Sequence, residues 1–324
     1  MPTIRSDFLN LLKQQEKVLD AAWSGLADQL AAIIARYADA DGTIPLDKWR
    51  QLRREIADTI QRFVLARPEN AAFRVLSGGT VLPLSPFFSI LWDTLSESMR
   101  LAVLEQNNFL TQHVANEIQG NLRRAFLDPF MRLNELPPEE AAALRRYQHP
   151  LEARRSDGLM IEQRLPVAVA DLQRRTTALL NVLLSEQTSG TDIGNIMRQY
   201  YAGDYRRPGS WGVRAGERLL KIARSEPIFA FSQASVAAAA TNPFVVEVYV
   251  ERTRSVACAV CDPIVQRSPY SIENVPYPGF HGNCVCRLRY VVRSTPKWDY
   301  TSDPQWTRTV GAMSTQLVQR LLRL

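Results

Sequence analysis

All four cysteines of this 324-residue chain lie between Cys258 and Cys286. A secreted disulfide scaffold spreads its cysteines along the chain. One tight cluster in an otherwise cysteine-free sequence points instead to a metal site in a reducing compartment. The pattern is Cys258-Ala-Val-Cys261, then the segment 262–280, then His281-Gly-Asn-Cys284-Val-Cys286. Zinc takes four nitrogen or sulfur ligands in a tetrahedron, and a Cys-x2-Cys knuckle turns sharply enough to aim two sulfurs at one ion. Cys258 and Cys261 are the firmest candidates. The second pair is drawn from His281, Cys284 and Cys286, so five candidates compete for four places. The segment between the pairs carries Pro263, Pro269, Pro276, Pro278 and Gly279, and reads as nearly devoid of core-forming apolar residues. A module this small needs a staple. Structural zinc contributes roughly 10–16 kcal/mol of apparent folding free energy in finger peptides.

Other uses of these residues fit less well. A redox CxxC belongs at a thioredoxin-like strand-to-helix turn, and no such context surrounds Cys258. A catalytic zinc keeps an open position, which five nearby ligands would close. The three histidines give HVA (His113), HPL (His149) and HGN (His281), so neither a deaminase HxE nor a protease HExxH is present. No GxSxG nucleophile elbow occurs. The sequence assigns no catalytic or cofactor-binding residue, and the chain reads as a non-enzyme.

The remaining pattern is mainly α. Phe8, Leu12, Leu19, Leu26, Leu30, Ile33 and Tyr37 recur at helical spacing over 6–37, with Ser6 as a cap and Gln15 and Gln29 interrupting a heptad seam. Asp39 to Thr43 is a polar turn. Its Gly42 and Arg50 stand where a calcium loop would not place them. A second helix puts Leu46, Trp49, Leu52, Ile56, Ile60 and Phe63 on one face. A loose stretch from Arg67 to Pro86 follows, and its Gly78-Gly79 lacks the GK[ST] of a phosphate loop. Further helices are expected over 87–125, from Pro137, over 167–186, to Tyr201, and over 214–240, the last bent at Pro227 with Ser225 as a new cap. After Asn242-Pro243 the period becomes two, so 246–250 and 287–293 read as strands. A terminal helix from Asp303 carries the stripe Trp306, Val310, Met313, Leu317 and Leu321. Such a stripe packs on its own helices or docks in a partner's groove. The expected organisation is a helical N-terminal domain (1–155), a helical C-terminal domain ending in a β-hairpin zinc-knuckle module (156–300), and an amphipathic helix (301–324).

Charge adds a weak constraint. The formal net charge is +6, which permits DNA or an acidic partner without demanding either. Of 39 basic residues only Lys13, Lys17, Lys48, Lys221 and Lys297 are lysine. Arginine pairs, including Arg145-Arg146 and Arg174-Arg175, read as solvated helix faces or as phosphate or partner contacts. Arg252, Arg254, Arg267, Arg287, Arg289 and Arg293 flank the knuckle as a basic cluster. No window is read as a membrane span, and the N-terminus lacks a leader pattern.

From Arg214 onward a resemblance emerges. The run Glu217-Arg218-Leu-Leu-Lys-Ile-Ala-Arg224-Ser225-Glu226, an Ala-rich helix to Ala240, a strand, Cys258-x2-Cys261 and Phe280-His281-Gly-Asn-Cys284-Val-Cys286-Arg287 follow in order. This order resembles the Mu F-like minor head proteins, also called phage head morphogenesis proteins. The likeness covers about Arg164 to Val292. It departs at Pro227, within a helix usually continuous, and at Gly282, where proline is usual. It implies a low-copy capsid protein of a tailed phage, bound to the portal and inner head during assembly. Portal and other capsid proteins would be its partners, with packaged DNA and self-association compatible and no membrane. Its place would be the virion, and the host cytoplasm during assembly. Arg224 and Glu226 would then hold the long helix against the zinc module through ion pairs, or else form a solvated face. A nucleic-acid-binding zinc protein and a phage-borne effector enzyme are the competing readings.

Overall fold

In a computed structural model, residues 4–65, 72–75, 81–117, 142, 146, 159–202, 215–240, 245–253, 257–281, 284 and 286–292 are described. They are mostly helical, with a small antiparallel sheet toward the C-terminus. The helices are α1 (Ile4–Tyr37), α2 (Trp49–Val64), α3 (Pro86–Glu117), α4 (Ile161–Ser185), α5 (Gly190–Ala202), α6 (Glu217–Ala240) and the short α7 (Asp262–Gln266). Strands β1 (Ala72–Val75) and β2 (Val81–Leu84) form one hairpin, and β3 (Val245–Glu251) pairs antiparallel with β4 (Arg287–Val292). Contacts divide the chain into two units interleaved in sequence. One takes Met1–Leu12, Asp93–Ser156 and Ala223–Leu324, and the other Lys13–Trp92 and Asp157–Ile222. The expected terminal helix over 303–324 and the helix from Pro137 lie outside the described residues.

The second unit is an apolar helical core. From α1 it takes Trp23, Leu26, Leu30 and Ile34, and from α2 Leu52, Ile56, Ile60 and Phe63, all buried. Trp23 sits at its centre, edge-on to Phe63 (5.6 Å) and tilted against Tyr201 of α5 (5.6 Å). Arg53 donates to Asn181 Oδ1 (3.0 Å) and Gln173 to the Ala57 carbonyl (2.9 Å), which fixes α2 against α4. Close helix approach depends on small residues. A Cβ on Gly190 would lie 2.9 Å from Ala38, and one on Gly194 3.3 Å from Ala31. Gly216, at φ +70°, lies against the Trp23 ring, where a Cβ would stand only 2.0 Å away. Ser189 caps α5 by accepting from Asp192 N–H (3.2 Å). Asp41 closes the preceding turn by accepting from the Thr43 N–H and hydroxyl.

Several sequence expectations are corrected. α1 begins at Ile4, so Ser6 is inside the helix rather than its cap. Leu46 is 74% exposed, because 46–48 forms a separate 3-10 turn before α2. The stretch after Arg67 contains the β1–β2 hairpin. α4 starts before Pro166, and α6 runs through Pro227 without a new start at Ser225. α1 is also long and apolar enough to cross a membrane by length and composition. Its residues Leu19, Trp23, Leu26 and Leu30 are nonetheless buried, as in a core helix.

Candidate metal centre

The cysteines sit in the first unit, on a module built around β3. Val245, Val248 and Val250 turn inward, while a bulge between Val245 and Glu247 lifts Val246 out of the alternation. β4 pairs along one edge of β3. On the other edge Val248 exchanges both backbone hydrogen bonds with Tyr270 (2.9 and 2.8 Å). Beneath them lie Val236, Ala237, Ala239 and Ala240 of α6, whose small side chains let the strand approach the helix. Ile272 and Val275 complete this core, and Ile264, Val265, Tyr270, Tyr277 and Phe280 pack around it. The segment between the cysteine pairs therefore does contribute apolar packing, contrary to the sequence expectation.

Each ligand candidate is placed by local backbone chemistry. Cys258 and Cys261 flank the turn that opens into α7, where Asp262 and Pro263 suit the first helical positions. Asp262 N–H donates to the Cys258 carbonyl (2.9 Å), and Asp262 Oδ2 accepts from Cys258 N–H (3.1 Å). Asp262 Oδ1 pairs with Arg252 at the end of β3 (2.7 Å). The Cys261 N–H points at Cys258 Sγ (3.4 Å). Across the site, Cys284 N–H donates to the His281 carbonyl (2.9 Å) and Gly279 N–H to Cys284 Sγ (3.4 Å).

These turns bring all five candidates together. His281 Nε2 is 3.2 Å from Cys258 Sγ and 3.1 Å from Cys261 Sγ, and Cys261 Sγ is 3.9 Å from Cys284 Sγ. Two triads result, Cys258–Cys261–His281 and Cys261–Cys284–Cys286, sharing Cys261. Cys261, Cys284 and Cys286 are buried, while Cys258 and His281 are half-buried. The Cys261 N–H lowers the Cys258 thiol below its usual value. Burial pushes Cys261 up to about 12. A hydrogen bond from Cys286 holds Cys284 down at about 5, and that same bond raises Cys286. Ionisation is thus favoured at Cys284, while Cys261 and Cys286 resist it. A cation reverses that logic by favouring several thiolates at once. The five residues could hold a metal ion.

The module is tied to the rest of its unit at Gly279, whose φ is +105°. A Cβ there would lie 2.9 Å from the Ser225 carbonyl and 3.0 Å from Phe229, so only glycine lets this turn seat on α6. The neighbouring Glu226 is 1% exposed, which excludes a solvated face for it; Arg224 is half-buried. Arg146 donates to the Val275 carbonyl (3.0 Å) and lies over the Tyr277 ring (5.1 Å), so it is a module contact rather than a solvated charge.

Three arginines of the basic cluster are engaged by two carboxylates among the described residues. Arg287 and Arg289 both pair with Glu251, and Arg252 pairs with Asp262. Arg254 and Arg293 lie outside the described residues. Sequence reasoning did not assign Asp262, Arg252 or Gly279 these supporting roles. Asp262-Pro263 carried a legible helix-start signal, whereas pairing with Arg252 depends on where β3 ends. No family model, no curated protein and no solved structure matches this chain.

Proposed function

We propose that the chain is a structural, non-catalytic minor head protein of a tailed phage, folded around one zinc ion and acting with the portal during head assembly. Four of Cys258, Cys261, His281, Cys284 and Cys286 would hold the ion. The observation that carries the metal part is the convergence of these donors. Zn–S bonds of about 2.3 Å and Zn–N bonds of about 2.0–2.1 Å put tetrahedral ligand atoms roughly 3.5–3.8 Å apart. The separations of 3.1, 3.2 and 3.9 Å bracket that spacing. Zinc is favoured over harder cations because the donors are thiols and an imidazole. The phage-head part rests on the ordered resemblance from Arg214 onward.

In this reading the ion does no chemistry on a substrate. It fixes the β3–β4 hairpin and the knuckle against α6, giving a rigid surface for partner proteins. A nucleic-acid role gains less, since Glu251 and Asp262 engage three of the four arginines described beside the knuckle and offset two of their charges. The test is co-expression with the portal protein of the same virion. Retention on the portal ring through gel filtration, lost when Cys261 is replaced by serine, is the expected result. A chain that never joins portal or heads would sink the assembly role while leaving the zinc site standing.

A further inference from the structure

Outside the cysteine cluster, the first unit contains a cavity of about 310 Å³ among the N-terminal turn of α1, α3, α6 and β4. This is at the lower end of the range for small-molecule pockets. Its polar groups divide into satisfied and unsatisfied ones. Gln106 Nε2 donates to Ser235 Oγ (2.9 Å), which also bonds the Tyr290 hydroxyl (2.8 Å). Ser232 donates to the Ile228 carbonyl (2.8 Å), and Arg287 and Arg289 share Glu251.

Three groups have hydrogen-bonding capacity unmet among the described residues. Gln106 is 6% exposed, and its Oε1 has no hydrogen-bond partner among the described residues. The Arg5 guanidinium lies near the Phe8 and Phe231 rings (5.6 and 5.8 Å), and no hydrogen bond or ion pair holds it among the described residues. The same holds for Glu105. Burial lowers the Arg5 pKa and raises that of Glu105; their opposite charges, and Arg287 for Glu105, offset part of that cost through space but supply no direct hydrogen bond among the described residues. A buried acceptor left without a donor is destabilising until a ligand supplies one.

The complement of this wall is specific. A planar guanidinium selects a carboxylate, which it can grip with two parallel bonds. Gln106 Oε1 and Glu105 call for an N–H or O–H donor. Two arginines on one Glu251 leave the wall net positive, which suits an anion, while Glu105 disfavours a phosphate dianion. Phe231 and Leu288 supply apolar surface for a short carbon skeleton. We infer that this cavity binds a small carboxylic acid bearing its own hydrogen-bond donor, an amino or hydroxy acid, with the carboxylate on Arg5 and the donor on Gln106 and Glu105.

Three probes of nearly one shape test this: L-lactate, L-alanine and propionate, titrated into the full chain by calorimetry or ligand-observed NMR. Saturable binding of lactate or alanine is expected, with propionate at least about tenfold weaker because it leaves the Gln106 oxygen unpaired. Arg5→Gln should weaken the bound acid by at least about tenfold. Gln106→Met should erase the preference over propionate, and it carries the test if Arg5→Gln does not fold. Equal binding of propionate, no saturable binding of lactate or alanine, or affinities untouched by both substitutions would each overturn the assignment.

Discussion

The helical unit around Trp23 and the module around Cys261 are stabilised by different physics. In the first, Trp23, Leu26, Leu30, Ile34, Leu52, Ile56 and Ile60 are each under 2% exposed. Fully burying such a side chain contributes about 1.5–3 kcal/mol. In the module the buried set is Ala, Val, Ile and Cys, and its aromatic residues Tyr270, Tyr277 and Phe280 are only partly buried. Alanine and cysteine bring far less apolar area per residue. The thiols occupy positions that leucine or phenylalanine fill elsewhere. A helical core can stand on burial alone, whereas a hairpin and a knuckle of this size need a cross-link, and the cysteines are positioned to supply one through a metal.

That contrast can be broken from either side. The largest effect is expected from Cys261→Ser, because Cys261 belongs to both triads. Metal should be lost and hydrogen exchange over 245–292 should become fast, removing most of the roughly 10–16 kcal/mol that a structural zinc provides. Protection in α2, α4 and α5 should persist. Equal loss of protection in both regions would erase the distinction.

The converse substitution is Trp23→Ala. It should cost the helical unit about 3–5 kcal/mol in denaturant unfolding, with metal content unchanged. Loss of metal in that variant would mean that the module depends on the helical core.

Gly279→Ala probes the seam between knuckle and helix. The added Cβ meets the Ser225 carbonyl and Phe229, at a φ that alanine resists. A cost of about 1–3 kcal/mol is expected, read as a lower metal-dependent melting temperature at full zinc occupancy. An unchanged melting temperature would show that the turn does not bear on α6.

The smallest effect concerns Glu251. Burial pushes its carboxyl up, but the hydrogen bonds from Arg289 and Arg287 together outweigh that and leave it below the usual value. Its contribution is therefore present above the ordinary glutamate range and fades as pH falls through the depressed value. Glu251→Gln should cost about 0.2–1 kcal/mol at neutral pH and flatten the acid limb of a stability–pH curve. An acid limb of unchanged slope would remove Glu251 from the account.

The same contrast explains what the sequence made legible. Long periodic helices were readable because burial imposes a 3.6-residue period, and Cys258-x2-Cys261 with His281-x2-Cys284 was readable because ligand spacing is local. The losses were of three kinds. The helix after Pro166 was started too late and Pro227 was read as a bend with a fresh cap at Ser225, yet both prolines lie inside helices. The β1–β2 hairpin was passed over although Gly78-Gly79 stands between two short apolar runs, a usable turn signal. The third kind was not local at all. The bulge at Val246, the seating of Gly279 on Ser225 and the burial of Glu226 depend on which segments meet, and no spacing rule encodes that. Of the site, the five clustered candidates were legible, while the Asp262–Arg252 support and the membership of Cys261 in both triads were not.

The central claim is that a metal holds the cysteine module together. Elemental analysis of the chain purified without added metal or chelator, paired with thiol titration before and after chelation, tests it most directly. The account predicts about one zinc per chain, thiols shielded until the ion is removed, and a module that unfolds when it is. A metal-free chain with the same exchange protection over 245–292 would contradict it.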